Sequence, residues 1–506
     1  MRAIPKHARI LFPICLSFVA NSLLTAEVRL PSVISDHMIL QRDMPARIWG
    51  KADPGEAVTV RFHGQTVRTE AGALGKWSVY LAPTPAGGPF DLTVEGKNSI
   101  VLHDVLVGDV WIASGQSNMV WPTGRTDNAE KEVAAAWYAQ IRLFKVPTKT
   151  SEYPLDDVSA TWAWCTPESV KEFSGVGYYF ARRLRQDIGV PIGVIQTAWG
   201  GTPAESWTSA PTLAADPALI SVYADWAKVI EATPDNQARY EIQLKEWQAT
   251  GSGKPKPNPP QGTNHPWRPG SLYNAMIAPF TPFAIRGAIW YQGENNAVKN
   301  RSYVYRRLFQ TMIQDWRRAW GQGDFPFLFV QLANFAKLPP EVQWPELQEA
   351  QTMALQLRNT GMAVTVDIGN PTDIHPRNKQ DVGLRLALAA EAISYGKKLV
   401  YSGPIFRQAT REGDTMRVWF DHVGGGLAAK GGDLKSFVIA GKDRKFVPAE
   451  ARIENGTVIV RSPSVPEPVA VRYGWAASPE CNLYNAEGLP ASPFRSDEWI
   501  EPIQHR

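Results

Sequence analysis

The chain predicts an α/β protein: a doubly wound, largely parallel sheet in its middle, flanked by β-rich N-terminal and C-terminal regions. Three observations predict it. Residues 105–399 alternate short apolar runs with stretches of helical period. Residues 27–104 and 400–506 carry short alternating segments instead, separated by turn-forming clusters. The 506 residues exceed one ordinary domain, so two or three units are expected.

Each element follows in order. Residues 1–26 read as a secretory signal peptide. Arg2, Lys6 and Arg9 precede the apolar run 10–24, and Leu24-Thr25-Ala26 offers a small-residue cleavage site before Glu27. The run is too short to span a membrane comfortably, and no later segment is long and apolar enough. A secreted or periplasmic protein is therefore expected. In 27–104, strands at 57–62 and 77–81 lie among turn clusters at 53–55 and 83–88, which suits a small sandwich.

The run 105–113 reads as a buried strand, 176–187 as a helix and 192–197 as the next strand. Residues 204–270 interrupt the alternation with a polar helical stretch and a Pro-rich run, 254–269. This is an insertion of the kind that forms a lid. Strands follow at 284–291, 326–331 and 362–368, and helices at 303–320, 347–358 and 381–395. From residue 400 short strands return at 416–420, 437–439, 457–460 and 470–473. They form a second β module or complete the first. No solenoid-type repeat is present.

Composition narrows the function. The hydrophobic fraction is 44%, the charged fraction 20% and the formal charge +4. That weak balance does not call for nucleic acid as a partner. The 19 tryptophans fit either sugar stacking or core filling. Cys15 belongs to the signal segment. Cys165 and Cys481 remain, either as one disulfide or as two buried thiols. No metal-type Cys/His spacing occurs.

The chemistry centres on Gly115-Gln116-Ser117-Asn118-Met119, just past the 105–113 strand. A serine there can point into a crevice, and its small neighbour lets backbone N–H groups approach an oxyanion. A nucleophilic serine needs a base. His7 and His505 lie at the ends, His37, His63 and His103 in the N-terminal module, and His422 in the C-terminal one. His265 sits in the insertion. His375, in a loop between a strand and the last helix of the α/β region, is the candidate base. Oxyanion donors come from the Ser117 N–H, from Trp199-Gly200-Gly201-Thr202 and from Gln292-Gly293-Glu294-Asn295-Asn296.

The motifs Gly115-Gln116-Ser117-Asn118-Met119, Trp199-Gly200-Gly201-Thr202, Trp290-Tyr291-Gln292-Gly293-Glu294 and Asp373-Ile374-His375-Pro376 resemble the ordered blocks of the SGNH (GDSL-like) hydrolases. They are most similar to the sialate O-acetylesterase family. The C-terminal runs 471–475, 481–485 and 489–494 are similar to that family too. The resemblance implies a three-layer α/β/α catalytic domain over 105–399. It implies hydrolysis of a sugar acetyl ester through an acetyl-serine, with no metal or organic cofactor. It makes Ser117 the nucleophile and His375 the base. Gly201, or Gly200, and an amide from Gln292 or Asn295 join Ser117 in the oxyanion hole.

One departure concerns the acid. Many SGNH enzymes carry it three residues before the histidine, where this chain has Thr372. Asp373 ranks first here and Glu294 second; the sixth family of carbohydrate esterases resembles the chain in the Gln-Gly-Glu block. Asp367 is a third candidate, and a dyad helped by a backbone carbonyl is a fourth arrangement. Gln116, Trp199 and Trp290 are placed to hold the sugar, as are Trp207 and Tyr291, with core packing as the competing role. The expected partner is an acetylated sugar or glycan. Acetylated xylan is the alternative to sialate, and a non-catalytic carbohydrate-binding protein is the reading from another class.

Overall fold

The computed structural model describes residues 27–250, 255–298, 301–339 and 341–499. The expected signal peptide, residues 1–26, lies outside them, as does Lys254 at the start of the Pro-rich run. Among the described residues no helix is long and apolar enough to cross a membrane.

The organising element is the strand Ser99–Gly115. Its first half alternates exposed and buried residues and its second half is buried throughout. The change follows from what covers it. The first half pairs antiparallel with Gly87–Glu95 in the N-terminal module, beside the short parallel strand Ile39–Gln41. The second half lies between the parallel strands Ile192–Ala198 and Gly287–Tyr291. A strand covered on both faces reads as a continuous apolar run. The junction placed at residue 104 therefore falls inside one strand, and a single hydrophobic core runs from Val28 to Ala390.

The sheet continues to Phe327–Val330 and Thr360–Ala363 on one side, and to Tyr138–Lys145 and Trp162–Cys165 on the other. All pairs are parallel except the last. Helices cover both faces. Trp111 packs on Phe180 of the helix Gly175–Ile188. Trp290 packs on Phe309 and Trp316 of the helix Arg301–Trp320. Trp290 is in register with Ser114, three residues beyond Trp111, so the two indoles point to opposite faces.

Several boundaries differ from the sequence reading. The strand expected at 284–291 begins at Gly287. The one expected at 362–368 is Thr360–Ala363; just past its end Arg385 bonds the Val364 carbonyl and Asp367. The helix expected at 347–358 is Trp344–Met353, capped by a 3₁₀ turn at Ala354–Gln356. Tyr138–Lys145 and Trp162–Cys165 were unanticipated; Gln140, Arg142 and Lys145 break up the apolar pattern that would mark the first of them.

The insertion is helical, with Ile220–Glu231 and Thr233–Thr250 as its longest segments, and neither holds a fully buried residue. Among the described residues the C-terminal strands pair with one another and enclose their own core. Cys165 and Cys481 are both free thiols, each pushed up to about 12 by burial. Trp111, Trp207, Trp290, Trp316 and Trp344 are among the largest fully buried side chains, so much of the tryptophan content is core. At the amino end of the sheet, the buried Asp109 accepts bonds from Gln41, Arg42, Arg286 and Tyr395. That network fixes the N-terminal module, the central strand and the last α/β helix as one scaffold.

Candidate active site

The chain order around Ser99–Gly115 reverses direction: later strands add on one side after earlier ones fill the other. Clefts at such a switch point, at the carboxyl ends of the strands, are where doubly wound sheets bind ligands. Gly115, Ala198 and Tyr291 are the neighbouring strand ends there.

Gly115 is dictated by crowding. Its φ is +136°, and a Cβ would lie 2.2 Å from the Tyr291 carbonyl oxygen. The Gln116 N–H then bonds that carbonyl at 2.9 Å, and the Trp199 N–H bonds the Gly115 carbonyl at 3.0 Å. The chain turns into the short helix Ser117–Val120, with the N–H groups of Met119 and Val120 on the Gln116 carbonyl. Ser117 is its first residue and is partly exposed.

The second strand end passes directly beside it. A Cβ on Gly200 would lie 3.4 Å from the Ser117 Cβ. Gly201 has φ +71°, and its carbonyl is held by Asn295 Nδ2 at 2.6 Å and Trp267 Nε1 at 2.7 Å. Trp199 is half-buried. Gln116 is nearly buried, and its Oε1 accepts the N–H groups of Gly293 and Asn295 at 3.4 and 3.3 Å.

Two expected contributors sit elsewhere. Gln292 is fully buried, and its Nε2 serves Asn296 Oδ1 at 2.6 Å and the Thr202 carbonyl at 3.2 Å, so its amide braces the loops. Trp290 has no exposed surface and belongs to the aromatic core, which removes it from any sugar-binding wall. Trp207 and Tyr291 are buried likewise.

The histidine loop is fastened to the serine turn at two points, both just after Ser117. Asn118 Nδ2 bonds the Ile374 carbonyl at 3.0 Å. Trp121 stacks on the His375 imidazole, with ring centroids 5.0 Å apart and planes at 18°. Asp373 is the carboxylate that faces this histidine. Its Oδ1 accepts the His375 backbone N–H at 2.9 Å and stands 3.8 Å from Nδ1, beyond hydrogen-bond distance. Glu294 is buried and meets Asn118 Nδ2 through Oε1 at 2.6 Å, while Oε2 has no hydrogen-bond partner among the described residues. Asp367 is engaged by Arg385 at 2.6 and 2.7 Å. Thr372, at the usual acid position, bonds Asn370.

Sequence reasoning missed three participants: the bridging role of Asn118, the stacking role of Trp121, and Lys379. Lys379 is fully buried, donates to Asn118 Oδ1 at 2.5 Å, and lies 5.2 Å from the Tyr291 ring centroid. No sequence signal separates it from a surface lysine beside Arg377 and Asn378.

Burial governs the electrostatics. It pulls the Lys379 ammonium down to about 7, against the opposing pull of Glu294 and Asp373. It raises the Glu294 carboxyl, with the Asn118 bond and Lys379 opposing. It lowers the His375 imidazole; the Lys379 charge adds to that lowering, and Asp373 opposes it. A histidine held below its ordinary value is neutral at pH 7, the form a general base requires. Among the described residues, no group of three or more His, Cys, Asp or Glu is gathered for a metal ion.

Fold and site together define an α/β enzyme with a switch-point serine and a nearby histidine. The family model described as "Carbohydrate esterase, sialic acid-specific acetylesterase" matches residues 107–238 and 257–394. The mouse sialate O-acetylesterase is 33% identical over 94% of this chain and 95% of that protein. The human one is 31% identical over 92% of each. A crystal structure described as a carbohydrate acetylesterase from Xanthomonas citri is 42% identical, with TM-score 0.81 over 93% of this chain and 100% of that one. The chain belongs to the sialic acid-specific acetylesterase family of carbohydrate esterases, and it is a carboxylic ester hydrolase.

Proposed function

We propose that the protein is an exported serine esterase that removes O-acetyl groups from carbohydrate, with O-acetylated sialic acid as its first substrate. The observation that carries this reading is the double fastening of the histidine loop to the serine turn, through Asn118–Ile374 and Trp121–His375. Ser117 Oγ attacks the acetyl carbonyl carbon while His375 takes its proton. The C–O bond to the sugar breaks, and His375 returns the proton to the sugar oxygen. Water then attacks the acetyl-serine with His375 again as base, and acetate leaves Ser117 as a free hydroxyl.

The Ser117 N–H, the Gly200–Gly201 turn and the Gln116 and Asn295 amides supply the donors for the oxyanion; losing one such donor costs about 10²–10³ in turnover. Asp373 is the acid that holds His375, since it is the carboxylate nearest Nδ1. Glu294 acts at one remove, through Asn118. Trp199, half-buried beside Gly200, is the aromatic placed to meet the sugar. The basic-then-apolar run before Glu27 supports export.

Acetylated xylan or a similar polysaccharide is the second reading. The Xanthomonas citri protein, 42% identical, is described as a carbohydrate acetylesterase, a description that suits either sugar. The test is acetate release from 9-O-acetylated sialic acid against acetylated xylan, side by side. The leading reading expects sialate to have the higher kcat/KM; a higher value on xylan replaces it with the second.

A further inference from the structure

Beside the serine site lies a cleft of about 170 Å³ between the insertion and the helix Arg301–Trp320. One wall is the insertion helix Ile220–Glu231, whose Val222, Trp226 and Val229 recur at one-face helical spacing and line the cleft. The helix holds no fully buried residue, so this apolar stripe borders open space in place of a core.

The polar wall is prebuilt. Glu205 is 7% exposed and accepts from Asn296 Nδ2 at 2.9 Å and from Arg301. Arg301 also bonds Asn295 Oδ1 at 3.3 Å, and Asn295 holds the Gly201 carbonyl. Trp267, on the rim, holds the same carbonyl. The cleft and the turn beside Ser117 thus form one hydrogen-bonded unit. A half-buried indole facing a carboxylate, a guanidinium and amides suits a pyranose: its C–H face packs on the ring and its hydroxyls meet the polar wall.

We infer that this cleft is a second sugar subsite, occupied by the glycosyl residue joined to the acetylated one, so that the enzyme works on linked sugars in preference to free monosaccharides. The inference rests on the carbohydrate O-acetylesterase reading of Ser117.

The experiment compares kcat/KM for three acetyl donors: p-nitrophenyl acetate, 9-O-acetylated sialic acid, and the same acid linked to lactose, with O-acetylated xylose and xylobiose as a parallel pair. The expected result is at least a tenfold preference for the linked sugar in one pair. Trp226→Ala then lowers the ratio of linked-sugar to p-nitrophenyl acetate kcat/KM about tenfold, mainly through KM, and Trp226→Tyr restores part of it. No preference in either pair, or a ratio that both Trp226 variants leave at the wild-type value, overturns the subsite. Cleavage of p-nitrophenyl acetate with no acetate from any sugar overturns the underlying reading as well, and so separates the two failures.

Discussion

Asn118 and Lys379 stand 261 residues apart in sequence and are joined by a 2.5 Å hydrogen bond from Nζ to Oδ1. The other end of the same side chain reaches Glu294 at 2.6 Å and the Ile374 carbonyl at 3.0 Å. One amide therefore ties the serine turn to the Gln-Gly-Glu block, the histidine loop and the last α/β helix. Asn118→Ala leaves a buried lysine and a buried carboxyl without this partner, at about 1–3 kcal/mol for each unmet group. The expected result is a kcat/KM for p-nitrophenyl acetate lowered about 10²-fold with a reduced Tm. Full activity in a stable Asn118→Ala protein contradicts the bridging role.

Lys379 makes stability depend on pH in a defined direction. Its folded value, about 7, lies below the unfolded 10.5, so the unfolded chain binds more protons between them. The buried-lysine penalty is full below pH 7 and shrinks as pH rises through that window. Removing the charge in Lys379→Met also lets Glu294 protonate more readily, which raises the variant's stability most at low pH. Both effects share a sign. The stability difference, variant minus wild type, therefore falls from pH 6 to pH 9 by more than about 1 kcal/mol. Denaturant unfolding at the two pH values measures it, and a difference that rises with pH refutes the assignment.

Trp121 covers one face of His375. Burial lowers this imidazole, so uncovering the ring raises it toward the ordinary value of about 6.5. The base works only when neutral. In Trp121→Ala the acidic limb of the kcat/KM profile should move to higher pH, and activity near pH 6 should fall more than activity near pH 8. An unmoved limb means the stack has no electrostatic part.

The acid is resolved by isosteric amides. Asp373 faces His375 directly, whereas Glu294 reaches it only through Asn118 and Ile374. Asp373→Asn should lower kcat at least ~10-fold and by more than Glu294→Gln. The reverse order exchanges their roles, and two wild-type values remove both.

How legible was this in the sequence? The placement of Ser117 just past a strand end and of His375 in a loop before the last α/β helix could be read, because polar clusters after apolar runs have one-dimensional signatures. The parallel order was readable from alternation. The long strand Ser99–Gly115 was not, because its first half has the alternating pattern of a one-sided sheet and so passes for part of the β module. Tyr138–Lys145 was hidden by Arg142, which is 2% exposed and owes its place to Asp104, a partner fixed only by folding. Trp290 and Gln292 lie in a motif beside the site, yet their side chains point into the core, and only the strand register decides that. Lys379 and Asn118 meet by tertiary contact alone.

On the proposed mechanism Ser117 forms the acetyl-enzyme. The most direct test is acetate release from p-nitrophenyl acetate by Ser117→Ala, with folding checked by circular dichroism, and with acid-quenched wild-type peptides examined for acetylation. The expected result is a fall in kcat of at least ~10⁴-fold and an acetyl group on the wild-type peptide that carries Ser117. Release within tenfold of wild type by the folded variant contradicts it.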